Sequence, residues 1–89
     1  MATLIVRHKV EDFGEWKKAY DAFDNERKTM GVTGHGVYQL EDNPNDVTVL
    51  HKFANMEAAK SFAKSDRLKE IMKGAGVVGK PDMWFTIEK

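Results

Sequence analysis

The most regular alternation of hydrophobic and polar positions runs through residues 3–10, Thr-Leu-Ile-Val-Arg-His-Lys-Val. β-Branched residues are frequent in this stretch and neither Pro nor Gly interrupts it, which predicts a β-strand. One face of the strand would carry Leu4, Val6, His8 and Val10. The opposite face would carry Ile5, Arg7 and Lys9. Because an apolar face needs a cover, we expect this strand to lie at the centre of a small sheet.

Apolar residues then recur at helical spacing, which predicts one amphipathic helix over residues 13–30. Its apolar stripe contains Phe13, Trp16, Ala19, Tyr20 and Phe23. Its polar side would contain Lys17, Lys18, Asp21, Asp24, Glu26 and Arg27. Asp12 followed by Glu15 fits a capping box at the start of the helix, and Gly31 fits a stop at its end. The stripe would pack against the sheet or, as the alternative, some of its rings would line a ligand pocket.

A second and a third strand are predicted at residues 33–41 and 47–53, joined as a hairpin by a turn at residues 42–46 that contains Asn-Pro-Asn. Two glycines in the second strand indicate a bulge or a close backbone approach. The pattern leaves two registers open for this strand. Its core side belongs either to Tyr38 and Leu40 or to His35 and Val37.

A second amphipathic segment begins at Asn55, a plausible N-cap, and is interrupted at Ser65-Asp66, which predicts one kinked helix or two short ones. Its apolar positions are Met56, Ala59, Phe62, Ala63, Leu68, Ile71 and Met72. Residues 74–81 are rich in Gly and predict a loop that crosses to a partner subunit or closes a pocket, the alternative being a plain surface linker. Residues 83–88 predict the last strand.

The predicted order of elements is βαββαβ within a single domain, residues 1–89. Because β–α–β crossovers are right-handed, both helical segments must cover the same side of the sheet. The expected fold is α+β, a ferredoxin-like sandwich with an antiparallel sheet in the order 4-1-3-2. The helix-covered side would bury Leu4, Val6, Val47, Val49 and Phe53. The reverse side is mixed, with Ile5 and Leu50 among charged residues, so either solvent or a partner chain would cover it.

Composition narrows the classes of function. The chain has fourteen basic and fourteen acidic residues, and this zero net charge argues against binding to nucleic acids or to anionic membranes. It has no cysteine, which excludes disulfides, thiolate nucleophiles, Cys-type zinc sites and iron–sulfur clusters. We find no signal-peptide pattern and no apolar run that would span a bilayer, so we expect a cytoplasmic protein. A chain this small would gain stability from oligomerisation.

Several stretches together resemble the small proteins of the dimeric α+β barrel superfamily, and they cover nearly the whole chain. They are residues 7–10, Asp12-Phe13, Trp16-Lys17, residues 43–45 and 47–50, Phe62 with Ser65, residues 68–72 and 75–77, and Pro81. That superfamily includes antibiotic-biosynthesis monooxygenases, polyketide cyclases, heme-degrading enzymes and stress-responsive proteins. The resemblance therefore implies the fold and a homodimer, and it leaves more than one chemistry open.

Two histidines, His8 and His51, fall on the core faces of neighbouring predicted strands, so both could reach one cavity between sheet and helices. A core histidine is usually a structural residue with satisfied hydrogen bonds. The functional alternative is a general acid–base pair, or a proton donor to a bound phenol or enol. We expect His8 and His51 to be the catalytic candidates, and only His8 lies in a stretch that carries the resemblance. The substrate-binding candidates, which would otherwise serve the core or an interface, are Trp16, Tyr20, His35, Tyr38 and Trp84.

We expect neither a metal site nor a cofactor. The three histidines lack close metal-ligand spacing, and none lies on a predicted helix, where the heme-degrading relatives would place an axial ligand. Two hypotheses remain: a cofactor-independent monooxygenase or cyclase acting on a small apolar or aromatic ligand, or a non-catalytic dimeric module that binds a small ligand or supports stress tolerance. An enclosed pocket holding His8 or His51 favours the first; a dry and fully packed core favours the second.

Overall fold

A computed structural model describes all 89 residues of the chain. The elements in chain order are β1 (Ala2–Val10), α1 (Phe13–Ala22), α2 (Asp24–Thr29), β2 (Val32–Leu40), β3 (Asn43–Phe53), α3 (Met56–Lys64), α4 (Asp66–Gly74) and β4 (Val77–Ile87). The four strands form one antiparallel sheet in the order β2-β3-β1-β4. The predicted ferredoxin-like α+β fold and strand order are confirmed. None of the helices combines the length and the apolar character that a membrane crossing requires.

Strand β1 is central, since it pairs with β3 on one side and with β4 on the other. Its alternation decides where the core lies, because residues with even numbers point toward the helices. The predicted core face is confirmed by the burial of Leu4, Val6, Val47, Val49 and Phe53. Phe23 between α1 and α2, together with Phe62 of α3 and Leu68 of α4, completes the same apolar layer.

The predicted helix over residues 13–30 is two helices, and the break falls at Phe23. The ψ angle of Phe23 is 0°, and its N–H is shared between the carbonyls of Ala19 and Tyr20, so the regular hydrogen-bond ladder stops there. Asp12 caps α1 as predicted, accepting from the N–H of Glu15 at 2.9 Å. The second half of the expected capping box is absent, because the Glu15 carboxylate pairs with Lys18 instead.

Arg27 was expected on the polar side of this segment, and that prediction is wrong. The residue is only 2% exposed. The sequence does contain the reason: Trp16, Tyr20, Phe23 and Arg27 are spaced by four, three and four, so Arg27 continues the buried stripe one turn further. The prediction assigned it by its charge rather than by its position.

The predicted turn at residues 42–46 is shorter than expected. Strand β3 already begins at Asn43, so only Glu41 and Asp42 connect it to β2. Asn45 explains part of the difference: its side-chain oxygen accepts from the N–H of Phe13 at 3.1 Å, and its amide donates to the carbonyl of Glu11. The Asn-Pro-Asn stretch thus holds the start of α1 against the strand, a contact that turn propensity does not reveal.

The open register of β2 is decided by its pairing. His35 lies opposite His51 and Val37 opposite Val49, so these two residues face the helices. Tyr38 lies opposite Thr48 and faces the reverse side.

The second helical segment is two short helices, as one of the alternatives predicted. Asn55 accepts from the N–H of Ala58, and Ser65 accepts from the N–H of Leu68, so each helix has its own side-chain cap.

Of the predicted loop at residues 74–81, residues 77–81 belong to β4, and for them the prediction is wrong. This part of the strand is irregular, however: Lys9 pairs with Val78 but Arg7 pairs with Asp82. On β4, the three residues Gly79 to Pro81 therefore lie opposite a single residue of β1, His8, and form a bulge. Gly79 has a positive φ of 73°, a conformation that glycine adopts readily.

Candidate functional site

A small apolar cavity lies between the sheet and the helices. Its volume is about 40 Å³, which is room for a few water molecules at most. Its polar or charged lining residues are His8, His51 and Arg27, together with the ring-bearing Trp16 and Tyr20. The remaining wall is Val6, Phe23, Val49, Phe62, Leu68, Ile71, Met72, Ala75 and Met83. Both catalytic candidates therefore line one cavity.

His8 stands at the cavity wall on the central strand, opposite the β4 bulge. The residue is 7% exposed, and both of its ring nitrogens are buried without a hydrogen-bond partner in the chain. Its ring packs against Trp16 in a T-shaped arrangement, with the ring centroids 5.5 Å apart. Burial lowers the pKa of His8 below its ordinary 6.5, and the nearby Asp46 carboxylate opposes this only in part. The ring is neutral near pH 7 and free to donate from one nitrogen and accept at the other.

His51 is held more firmly. Its Nε2 lies 3.1 Å from the Tyr20 hydroxyl, while its Nδ1 has no partner in the chain. The ring also stacks with Tyr20 and meets the edge of Phe62. Burial lowers the pKa of His51 to about 3, and the positive charge of Arg27 adds to that effect. Burial also raises the pKa of Tyr20 to about 12, so both partners are uncharged across the neutral range.

Arg27 is the site residue that sequence reasoning missed. Its guanidinium carbon lies 3.7 Å from the centre of the Tyr20 ring, in cation–π geometry. One terminal nitrogen donates to the carbonyl of Tyr20, and the other donates to Asp24 at 3.2 Å. Its Nε is buried with no partner. A permanent positive charge therefore borders the apolar cavity, with the partly exposed carboxylate of Asp24 as its counter-charge.

The five substrate-binding candidates divide between the two sides of the sheet. Trp16 and Tyr20 line the cavity and stack on each other at a centroid distance of 4.9 Å. His35 lies beside the cavity rather than in its wall, with its ring against the edge of Tyr20. Tyr38 and Trp84 are on the reverse side, where they pair with Thr48 and Ile5.

A wider groove adjoins the cavity between α4 and β4. Its free volume is about 410 Å³, within the range of small-molecule sites. Leu68, Met72 and Met83 line both spaces and form the partition between them. Two of the three are methionines, whose flexible side chains repack easily. The bulge residues Gly79 to Pro81 form the outer wall of the groove.

The fold has many solved relatives in structure, although no family profile matches the sequence and no curated protein matches it. A protein from Bordetella bronchiseptica, provisionally named an antibiotic biosynthesis monooxygenase, superposes with a TM-score of 0.83 at 13% identity over 99% of this chain and 96% of that one. A variant of SnoaB, a cofactor-independent oxygenase from Streptomyces nogalater, gives 0.78 at 11% identity over 99% and 92%.

A conserved protein from Methanosarcina mazei Go1 gives a TM-score of 0.76 at 20% identity over 99% of this chain and 92% of that one. Identities this low carry the fold and not the reaction. The chain is therefore similar, over its whole length, to the ferredoxin-like proteins that include the antibiotic biosynthesis monooxygenases, and it has the fold that its sequence resemblance implies.

Proposed function

We propose that this protein is a small homodimeric enzyme that oxidises or cyclises an aromatic, polyketide-like molecule without a cofactor. The observation that carries the proposal is His8, a neutral ring in an apolar cavity with both nitrogens unpaired. Buried polar groups in proteins nearly always have partners, so an unpaired ring is expected where a bound molecule supplies one. SnoaB, which has the same fold, is a cofactor-independent oxygenase, so the fold is compatible with this reaction class.

The chemistry asks little of the protein beyond moving a proton and holding a charge. A neutral imidazole takes the proton of a bound phenol, and the phenolate becomes electron-rich enough to pass an electron to O₂. Combination of the two radicals forms the new C–O bond on the ring. For a naphthol, one oxygen atom remains as a quinone carbonyl, and the other leaves as water with the hydroxyl hydrogen and the hydrogen of the attacked carbon. Arg27 would stabilise the phenolate charge from the cavity wall.

The test is oxygen consumption with a naphthol or anthrone as substrate, followed together with quinone absorbance. Loss of a general base typically costs a factor of about 100 or more, so we expect His8→Gln to lower kcat by at least about 100-fold. Its melting temperature should stay within about 2 °C, since no protein group loses a partner. His35→Gln provides the comparison at a histidine outside the cavity wall, and we expect a much smaller loss there. Equal losses in the two variants would contradict the assignment of His8.

The proposed dimer uses the reverse side of the sheet. The strand register aligns Gly36, Leu50, Ile5 and Trp84 in one row across all four strands. The Tyr38 ring lies over Gly36, where an added Cβ would come within 3.1 Å of it. Together these residues form an apolar band across the sheet, and Tyr38 and Trp84 in it are 56% and 48% exposed. We infer that a second copy of the chain covers this band, sheet against sheet, as the resemblance implies.

Sedimentation equilibrium tests the dimer directly. The wild-type chain should be dimeric at micromolar concentration, with a contact larger than the ~800 Å² typical of crystal packing. Trp84→Asp, which buries a charge in the band, should give a folded monomer. A monomeric wild-type chain would overturn this part of the proposal.

A non-catalytic module that binds a small ligand is the second candidate, and the size of the cavity favours it. About 40 Å³ does not admit an aromatic ring without movement of the partition residues. Under this alternative, aromatic ligands bind in the groove without oxygen consumption. The O₂ measurement above separates the two.

The proposal also concerns the bulge of β4 and the cellular location of the protein. We propose that residues 74–81, which include the bulge, close over a ligand in the groove, because Gly79 to Pro81 form its outer wall. Hydrogen exchange of these amides should slow when an aromatic ligand is added, whereas a plain linker would be unchanged.

The proposed location is the cytoplasm, which fractionation of expressing cells would test.

A further inference from the structure

The groove between α4 and β4 carries charge of one sign only. Three of its ten lining residues are charged, and all three are lysines: Lys69 and Lys73 on α4 and Lys80 on the bulge. The other seven are Ala63, Leu68, Met72, Val77, Gly79, Pro81 and Met83. The groove therefore combines an apolar floor with a cationic rim.

None of these three lysines forms an ion pair within the chain, although seven such pairs exist elsewhere. Helix α4 has its own acidic residues, yet Glu70 pairs with Arg67 and neither it nor Asp66 lines the groove. Lys69 and Lys73 are four residues apart on one helix face, where like charges repel. In a chain with equal numbers of acids and bases, this local excess of positive charge is a feature of the groove and not of the composition.

The groove also adjoins the candidate active site. Leu68, Met72 and Met83 separate the two spaces, and His8 lies behind the bulge on the cavity side. A flat ligand lying on the apolar floor would have one end at the lysines and its other end at the methionine partition. A molecule that fits this arrangement has an aromatic body, a reactive ring at one end and an anion at the other.

We propose that the lysines of the groove bind the carboxylate of an aromatic carboxylic acid whose phenolic ring lies against the methionine partition and enters the cavity when Met72 and Met83 move aside. This inference rests on the proposed function and narrows its substrate class from aromatic molecules in general to aromatic carboxylates. Lys69 and Lys73 hold the carboxylate from the helix, and Lys80 holds it from the bulge. Ammonium groups at a partly open site contribute through charge attraction, so the binding must weaken as salt increases.

The experiment compares hydroxynaphthoate with naphthol, which share the phenolic ring system and differ in the carboxylate. The dissociation constants of both are measured by isothermal titration on the full-length protein at low salt. Exposed ion pairs contribute modestly, so with three lysines we expect hydroxynaphthoate to bind about tenfold more tightly than naphthol. Salt at about 0.5 M should remove most of this preference.

The double variant K69Q/K73Q should lose most of the preference while its affinity for naphthol stays within about twofold. The matched control is K60Q/K64Q, which removes two lysines from α3, again including one in the last turn of its helix, without touching the groove. It should keep the preference in full. A wild-type protein that binds both compounds equally, or a control that loses as much preference as K69Q/K73Q, overturns the carboxylate site.

The two proposals fail in different ways. If naphthol is oxidised with dependence on His8 but hydroxynaphthoate has no advantage, the carboxylate site is wrong and the proposed reaction stands. If hydroxynaphthoate binds through the lysines but consumes no oxygen, the site is right and the reaction is wrong. If neither compound binds, both proposals fall.

Discussion

The two faces of the sheet both carry apolar side chains, but they differ in what covers those side chains. On the helix side, β1 buries Leu4 and Val6 against helices of its own chain, and the polar groups trapped there include two histidines and an arginine. On the reverse side, Ile5 and Leu50 lie in an apolar band that no element of the chain covers, and Tyr38 and Trp84 at its ends are half exposed. The polar side chains differ as well. Arg7 and Asp46 on the reverse side form a forked ion pair with contacts of 3.0 and 2.8 Å, whereas both nitrogens of His8 remain unpaired.

This contrast indicates which residues serve stability and which remain available for binding. A charged pair with two hydrogen bonds has its needs met within the chain, as a structural element does. An unpaired buried ring on one face, and an uncovered apolar band on the other, each lack a partner. The proposals above assign those partners: a small aromatic molecule for the ring, and a second copy of the chain for the band.

The largest expected effect is the difference in unfolding free energy between a substitution in the core and one in the apolar band. Phe53→Ala removes a ring that is fully buried and packed against Phe62, and it should lower the free energy of unfolding by about 3–5 kcal/mol. Trp84→Ala should cost the diluted chain less than about 1 kcal/mol and act mainly on dimerisation. Urea denaturation at low protein concentration measures both. Losses of similar size would mean that the band belongs to the fold of the single chain.

The pH dependence should also differ between the faces. The pKa of His51 is lowered from 6.5 to about 3, so its contribution is complete above pH 6.5 and is lost as the pH falls toward 3, because only the unfolded chain takes up the proton. Between pH 7 and 5 this amounts to a loss of about 2 kcal/mol, and His8 adds a loss of the same sign. Urea denaturation at several pH values should show this slope, and His51→Leu should reduce it.

On the reverse face, the pH range over which stability is lost lies lower. The hydrogen bond from Arg7 lowers the pKa of Asp46 below its ordinary 3.8, so the contribution of this pair is complete above pH 3.8 and is lost only below it. Asp46→Asn should therefore preserve the slope between pH 7 and 5, and it can only steepen the His8 part, because it removes the carboxylate that opposes the lowered pKa of His8. If the slope vanished in this variant, the titrating group would lie on the reverse face, which would contradict the assignment of the slope to His51.

A matched pair of substitutions compares the two histidines. His51→Leu leaves the Tyr20 hydroxyl buried without its partner, and we expect it to cost about 1–3 kcal/mol. His8→Leu removes a ring with no partner and should change stability by less than about 1 kcal/mol in either direction. Thermal melts at pH 7.5, where both rings are neutral, give the comparison. A larger loss for His8 would show that it has a structural role.

The smallest effect is expected at Gly36. An added methyl group would lie 3.1 Å from the Tyr38 ring, but that ring is exposed and can swing away. Gly36→Ala should therefore change the unfolding free energy of the single chain by less than about 0.5 kcal/mol. Because the displaced ring belongs to the band, the dimer should weaken by a few fold, as measured by sedimentation at several concentrations. An unchanged dimer would indicate that Tyr38 lies outside the contact.

Sequence periodicity predicted most of the fold and part of the site. It placed His8 and His51 on neighbouring core faces, and they do line one cavity. It failed at Arg27, because charge was taken as evidence of exposure although the spacing continued the buried stripe. It also failed at residues 77–81, where Gly79 and Pro81 suggested a loop. The central strand β1 pairs with Val77 and Val78 before the bulge and with Asp82 after it, and this pairing overrides local propensity.

By itself the sequence determined the order of the elements, the antiparallel sheet and the face of β1 that is buried, since these follow from local periodicity and from the handedness of the crossovers. Only the tertiary structure decided the register of β2, the bulge opposite His8, the contact between Tyr20 and His51, and the gathering of three lysines around one groove. The physical reason is distance along the chain. Tyr20 and His51 are 31 residues apart, and no local pattern encodes a hydrogen bond that forms only after two elements have packed.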